Sequence, residues 1–104
     1  MILDYDAQRE AFLKLAKIKN LRESEITVYI ALLGEWERQG WTKIFSISTW
    51  GIYKLTHLAL STIIYARIEL AKKGFFQMQS KFPKETYDRK SRYQLFPFYC
   101  TSMV

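Results

Sequence analysis

The stretch between residues 60 and 74 constrains the fold more than any other, because it has the pattern of one helix with both ends marked. Ser61 is expected to cap the amino terminus, since a serine hydroxyl accepts a hydrogen bond from an amide of the first turn. Gly74 stands where a left-handed residue commonly closes a helix. Apolar residues recur between these points at helical spacing, at Ile63, Ala66 and Leu70. The sequence therefore predicts a helix over 61–73 with one buried face.

Shorter elements are expected on both sides of this helix. Ser48 is predicted to cap a short helix over 49–56, and residues 57–60 then form a tight link. Residues 75–82 and 92–96 have strand-like composition and surround a polar, basic loop. A further short strand is expected within 41–48, pairing with this hairpin. The carboxy-terminal half therefore reads as helix, turn, helix and hairpin.

Two longer helices are predicted in the amino-terminal half. The first covers 4–19, and it either covers the core or pairs with a second copy of the chain. The second opens at Ser24, its expected cap, and ends at Gly40. Helical spacing predicts that the first helix buries Ala7, Ala11, Phe12, Leu15 and Ile18. In the second helix, the predicted buried residues are Ile26, Tyr29, Ile30, Leu33 and Trp36. In the short helix that follows, they are Ile52 and Leu55.

The distribution of charge is asymmetric. Residues 1–38 carry seven acidic and six basic residues, whereas residues 39–104 carry three acidic and ten basic residues. The net charge of +6 therefore comes entirely from the half that holds the 61–73 helix and the hairpin. Such asymmetry is typical of proteins that bind polyanions. A solvated basic surface that serves solubility is the alternative reading.

Several classes of protein are not expected. No apolar run is long enough for a membrane span, and residues 1–6 do not have the pattern of a secretory signal. Cys100 is the single cysteine, which excludes an internal disulfide and favours a cytoplasmic location. His57 has no second histidine, cysteine pair or acidic cluster at ligand spacing. We therefore expect no enzyme activity, no metal, no cofactor and no small-molecule ligand.

The order of elements resembles a known family. The residues that carry the resemblance are Ser24-Glu25, Ile47-Ser48, Ser61-Thr62-Ile63, Glu69-Leu70 and Lys73-Gly74-Phe75. Together they are similar to bacterial winged helix-turn-helix proteins, and in particular to the amino-terminal domain of DnaD-like replisome organisers and related plasmid and phage replication proteins. The resemblance covers roughly residues 20–96. The chain departs from the family pattern at Tyr65, where many members carry Arg, and at Arg67, where an aliphatic residue is usual.

The resemblance implies a mainly α fold with a small β-hairpin (α+β), in one winged helix-turn-helix domain over 1–104. Within it, 1–19 is an amino-terminal helix, 48–74 the helix-turn-helix, 75–96 the wing and 97–104 an apolar tail. A transcriptional regulator or a replication-associated module of a bacterium or mobile element is the implied function, acting as a homodimer on double-stranded DNA.

Side chains of the 61–73 helix and the basic wing would carry this DNA binding. Base or sugar contacts are expected from Thr62, Tyr65 and Arg67. Phosphate and groove contacts are expected from Ser61, Lys54, Lys72, Lys73, Lys84, Arg89, Lys90 and Arg92. The alternative is a winged-helix interaction or oligomerisation module without specific DNA binding. Its surface would include exposed Ile64 and Ile68, or the aromatic residues Trp36, Trp41, Trp50, Phe98 and Tyr99.

Overall fold

Four helices and three short strands make up the part of the chain that the computed structural model describes, which is residues 4–79 and 90–95. The fold is mainly helical with a small antiparallel sheet, as the sequence predicts. Most of the predicted hairpin loop and the apolar tail lie outside the described residues. The elements are α1 (Tyr5–Ile18), α2 (Glu23–Arg38), β1 (Phe45–Ser48), α3 (Thr49–Thr56), α4 (Leu60–Lys72), β2 (Phe76–Gln79) and β3 (Lys90–Leu95).

The three strands form one antiparallel sheet in the order β1-β3-β2. Phe45 of β1 lies opposite Tyr93 of β3, and Phe76 of β2 lies opposite Leu95. These residues are buried, so this face of the sheet closes one side of the core. The expected pairing of a strand within 41–48 with the hairpin is therefore confirmed, although the strand begins only at Phe45.

Helix α2 lies at the centre of the helical layer, where α1, α3 and α4 all contact it. Phe12 of α1 stacks on Tyr29 of α2 with ring centroids 4.0 Å apart, and Phe75 meets both rings edge-on. Burial in this cluster raises the pKa of the Tyr29 hydroxyl above its ordinary value. The cluster joins α1 to the end of α4, so α1 is part of the core.

The buried faces of α1, α2 and α3 agree only in part with those expected, since Phe12, Tyr29, Leu33, Trp36 and Ile52 are buried but other predicted positions are not. On α1 the buried residues are Gln8, Phe12 and Ala16, whereas Ile18 is 77% exposed. On α2, Val28 and Leu32 are buried, whereas Ile26 and Ile30 are only partly so. On α3, Thr49 is buried and Leu55 is 43% exposed. Apolar spacing identified the helices but not the complete buried faces of α1, α2 and α3, because small or polar side chains such as Gln8 and Thr49 occupy some of the inward positions.

The predicted helix ends are confirmed where glycine closes the helix. Gly40 and Gly74 have φ of 84° and 85°, a conformation that glycine adopts without strain. Ser48 caps α3 by accepting a hydrogen bond from the Gly51 amide at 2.9 Å. The other two predicted caps are wrong. Helix α2 begins at Glu23, one residue before Ser24, and α4 begins at Leu60, so that Ser61 already lies inside it.

Gly51 is expected to be necessary despite its position inside a helix. A Cβ atom at this residue would lie 2.8 Å from Cγ1 of the β-branched Ile47, so Gly51→Ala should lower the free energy of unfolding by about 1–2 kcal/mol. Helix propensity alone would predict a gain of up to about 1 kcal/mol. Gly34→Ala in α2 is the matched control, because the nearest atom there is 4.0 Å away and a gain is expected. Urea unfolding of both variants measures the difference, and a stabilised Gly51→Ala variant would contradict the packing.

Candidate nucleic-acid interface

A tight turn joins α3 to α4. His57 ends α3 in the left-handed conformation, with φ of 59°, and its amide donates to the Tyr53 carbonyl at 2.7 Å. The Thr56 hydroxyl donates to the Ile52 carbonyl, which completes the last turn of α3. Helix α4 then begins after Ala59, and its first backbone bond joins the Ile63 amide to the Ala59 carbonyl. His57 thus has a backbone role in forming the helix pair.

The two faces of α4 are clearly separated. Ile63, Ala66, Arg67 and Leu70 are buried against the rest of the protein. The opposite side exposes a stripe of side chains at intervals of three and four residues, which place them one above another along the helix. This outward stripe, as we call it below, consists of Ser61, Tyr65, Ile68 and Lys72.

Among the expected base contacts, Tyr65 and Thr62 remain accessible. Tyr65 is 55% exposed, and Thr62 is partly exposed beside it. Ile68 is 41% exposed one turn beyond Tyr65, while Ile64 is partly buried. From the sequence, Ile68 is expected only to contact a protein partner. The spacing 61, 65, 68 and 72 places it in the centre of the outward stripe.

Arg67 is not part of this surface, so its expected contact with DNA is corrected here. Its side chain is 1% exposed, and Nη1 donates a hydrogen bond to the Tyr93 hydroxyl of β3 at 2.8 Å. Arg67 lies one turn from Ile63 and Leu70, on the buried face of α4. Arg67 therefore connects α4 to the sheet.

Lys73, an expected phosphate contact, has a partner within the protein. Its ammonium lies 2.9 and 3.2 Å from the two carboxylate oxygens of Glu25, which is 2% exposed. Glu25 also accepts a hydrogen bond from the Arg22 amide, at the start of α2. A bare carboxylate is costly to bury, so this ion pair keeps Lys73 at the junction of α2 and α4.

Four of the other cations that are expected to contact DNA, Lys54, Lys72, Lys90 and Arg92, belong to the described residues. Lys54 is exposed on α3, and the Lys72 side chain is 69% exposed, with its ammonium 4.0 Å from a Glu69 carboxylate oxygen. Lys90 and Arg92 belong to β3, where they lie opposite Ser48 and Ser46 of β1. Lys84 and Arg89 lie outside the described residues.

The hypothesis of a protein-interaction module places several aromatic residues on the surface, but not all of them are exposed. Trp36 is 4% exposed, and Trp41 packs against it with ring centroids 4.9 Å apart, so Trp36 belongs to the core. Trp50 is 43% exposed and stacks on Tyr53, which in turn contacts His57 edge-on. The spacing of these three residues along α3 could have identified the row from the sequence. Phe98 and Tyr99 lie outside the described residues.

The described residues contain neither a cluster of metal ligands nor a helix that could cross a membrane. Within residues 4–79 and 90–95, no three His, Cys, Asp or Glu side chains come together as metal ligands would. None of the described helices combines the length and apolar character that crossing a membrane requires.

No family model, curated protein or solved structure matches this chain significantly.

Proposed function

We propose that this protein is a winged helix-turn-helix protein that binds double-stranded DNA, with α4 in the major groove. The observation that carries the proposal is the outward stripe of α4. It follows a tight turn from α3 and leaves Tyr65, Ile68 and Lys72 accessible along one side of the helix. A recognition helix needs such a free face, because its side chains must reach base edges while its other face stays packed.

The topology supports this proposal. Helices α3 and α4 form the helix pair, and α4 leads directly into β2 and β3, the two strands of the proposed wing. Strand β3 lies between β1 and β2, and Arg67 bonds it to α4 through Tyr93. Helix and wing would therefore approach a duplex as one unit.

The charge distribution also supports the proposal. All the excess positive charge of the chain lies in residues 39–104, which include α3, α4 and the strand pair. Lys54 and Lys72 are exposed cations on the two helices of the proposed reading unit. Binding to phosphates through such groups releases counterions and does not depend on base sequence.

The proposal includes a biological setting. A transcriptional regulator or a replication-associated module is the role that fits a small chain with one reading helix. We propose a homodimer, because paired half-sites are the usual targets of helix-turn-helix proteins. The lone Cys100 supports a cytoplasmic location.

The direct test is binding of the purified protein to a fluorescent mixed-sequence duplex across a salt titration, with the mass in solution recorded alongside. We expect a Kd in the micromolar range or tighter at low salt, with binding that weakens steeply as salt rises. A mass of twice the chain would support the dimer. Absence of duplex binding at low salt would refute the proposed function.

Replacing Lys54 and Lys72 together by Ala tests whether the two helices face the phosphates. Each lost phosphate contact should reduce the slope of log K against log salt by about 1, so the double variant should show a slope shallower by about 2. The matched control replaces Lys14 and Lys17 of α1, which are exposed in the half of the chain with no excess positive charge. An equal effect of both pairs would contradict an interface on α3 and α4.

A second candidate function has one specific observation in its favour. The side chains of Trp50 and Leu55 are both exposed. Leu55, together with Tyr5, Ile26 and Ile30, lines an open groove of about 410 Å³ between α1, α2 and α3. Exposed apolar surface of this kind is typical of contacts between proteins. A winged-helix interaction module would use these apolar side chains for contact with a second copy or another protein.

The salt titration separates the two candidates. An interface that buries apolar side chains should weaken little as salt rises, in contrast with a phosphate-binding surface. A stable dimer or larger species without any duplex binding would favour the interaction module. Replacing Trp50 by Ala should then convert that species to the monomer, while leaving the folded chain intact.

A further inference from the structure

The outward stripe of α4 has an unusual chemical composition for a surface that reads bases. Helix α4 contains no Asn or Gln, and its single arginine, Arg67, is buried. The one exposed cation of the stripe, Lys72, lies in the last turn. The accessible groups before it are the hydroxyls of Ser61 and Thr62, the phenol of Tyr65 and the methyl groups of Ile68.

This composition excludes the most common specific contacts for most of the helix. Arginine or lysine reads guanine through O6 and N7, and asparagine or glutamine reads adenine through N6 and N7. From Ser61 to Ile68 the stripe offers neither kind of group. The apolar feature of the major groove is the 5-methyl group of thymine, and apolar side chains contact it.

The spacing of Tyr65 and Ile68, which both expose apolar carbon atoms, suits neighbouring bases. Tyr65 and Ile68 are three residues apart, which corresponds to about 4.5 Å along the helix axis. Successive base pairs of B-DNA are about 3.4 Å apart. Two side chains at this separation can therefore contact the methyl groups of adjacent or next-adjacent pairs.

The charge of the chain favours DNA as the occupant of this face. An apolar stripe alone would suit a protein as well, but this one ends in Lys72 and belongs to the half of the chain with a net charge of +7. A partner with anionic flanks and an apolar centre fits both features. A thymine-containing major groove has phosphates on both sides and methyl groups along its floor.

We propose that α4 reads the 5-methyl groups of pyrimidines through Tyr65 and Ile68, so that the preferred half-site contains thymines on adjacent or next-adjacent base pairs. This inference rests on the proposed DNA binding and specifies the substrate class for it. The same contacts would accept 5-methylcytosine, which carries its methyl group at the same position of the ring. Tyr65 and Ile68 determine specificity, whereas Lys54 and Lys72 supply affinity for any sequence.

The test compares duplexes that differ only in methyl groups. A preferred duplex is first selected from a random pool with the purified protein, and a second version then carries uracil in place of every thymine. Base pairing and charge are unchanged. Because burial of one methyl group corresponds to roughly fourfold in affinity, loss of two or more contacts should weaken binding by about tenfold or more.

The double variant Tyr65→Ala/Ile68→Ala supplies the control. Both side chains are exposed, so the variant should unfold at the temperature of the wild type, and it should bind the two duplexes equally. Wild-type binding to thymine and uracil duplexes within twofold of each other would overturn the inference while leaving DNA binding intact. A selected site without thymines on adjacent or next-adjacent base pairs would also overturn it. Failure to bind any duplex at low salt would instead refute the proposed function itself.

Discussion

Replacing Arg67 by Ala is expected to lower the free energy of unfolding by about 3–5 kcal/mol and not to alter the choice of DNA sequence. The side chain is 1% exposed, so the substitution leaves a cavity that costs about 2–5 kcal/mol. The Tyr93 hydroxyl also loses the hydrogen bond that Nη1 donates at 2.8 Å, and a buried polar group without its partner costs about 1–3 kcal/mol. Urea unfolding followed by circular dichroism measures the loss.

Three further variants make this prediction sharper. Tyr65→Ala, two residues away on the outward stripe, should change stability by less than about 0.5 kcal/mol. Arg67→Met keeps most of the volume and should cost less than Arg67→Ala. Tyr93→Phe removes the hydroxyl alone, and a double-mutant cycle with Arg67→Met gives the coupling between the two groups. A stable Arg67→Ala variant with changed sequence preference would show that Arg67 faces the DNA.

The contrast between Arg67 and Tyr65 shows which side-chain positions can be predicted from the sequence and which cannot. Both residues fall within the predicted 61–73 helix, and the stripe of Ile63, Ala66 and Leu70 correctly identified its buried face. Arginine is rarely buried unless it has a partner, so the sequence around Arg67 gives no sign of its inward position. That partner, Tyr93, lies 26 residues further along the chain. No local pattern contains this information.

Features whose physical cause lies in a few neighbouring residues could be predicted from the sequence. The left-handed conformations of Gly40 and Gly74 and the cap at Ser48 depend on a few neighbouring residues, and all three are confirmed. Ser61 failed as a cap because α4 begins one residue earlier, at Leu60. A cap preference of about 1 kcal/mol is small beside the packing of a whole helix.

The candidate site was only partly predictable for the same reason. Exposure of Tyr65 and Lys72 follows from helical periodicity, which is local. The pairing of Lys73 with Glu25 joins residues 48 positions apart, so nothing near Lys73 indicated that its ammonium has a carboxylate partner. The outward stripe is consequently less basic than the sequence suggested, which is why we assign its specificity to apolar contacts.

Replacing Phe12 by Ala is expected to have a similarly large effect, a loss of about 3–5 kcal/mol. Phe12 is fully buried and stacks on Tyr29 with ring centroids 4.0 Å apart, while Phe75 closes the cluster at 5.5 Å. Removing the ring therefore leaves a cavity between α1, α2 and the segment that follows α4. Because domains of this size have a total stability of about 5–15 kcal/mol, the loss should be evident as a much lower urea midpoint.

This substitution also tests whether α1, besides being part of the core, pairs two copies of the chain. If α1 packs only within its own chain, Phe12→Ala should destabilise the chain by the same amount at every protein concentration. If α1 serves mainly to pair two copies, the loss should depend on concentration, because subunit association contributes to the measured stability. Ile18→Ala on the same helix is the control, since Ile18 is 77% exposed and its loss should cost less than about 0.5 kcal/mol. Equal effects of the two substitutions would contradict the ring cluster as the anchor of α1.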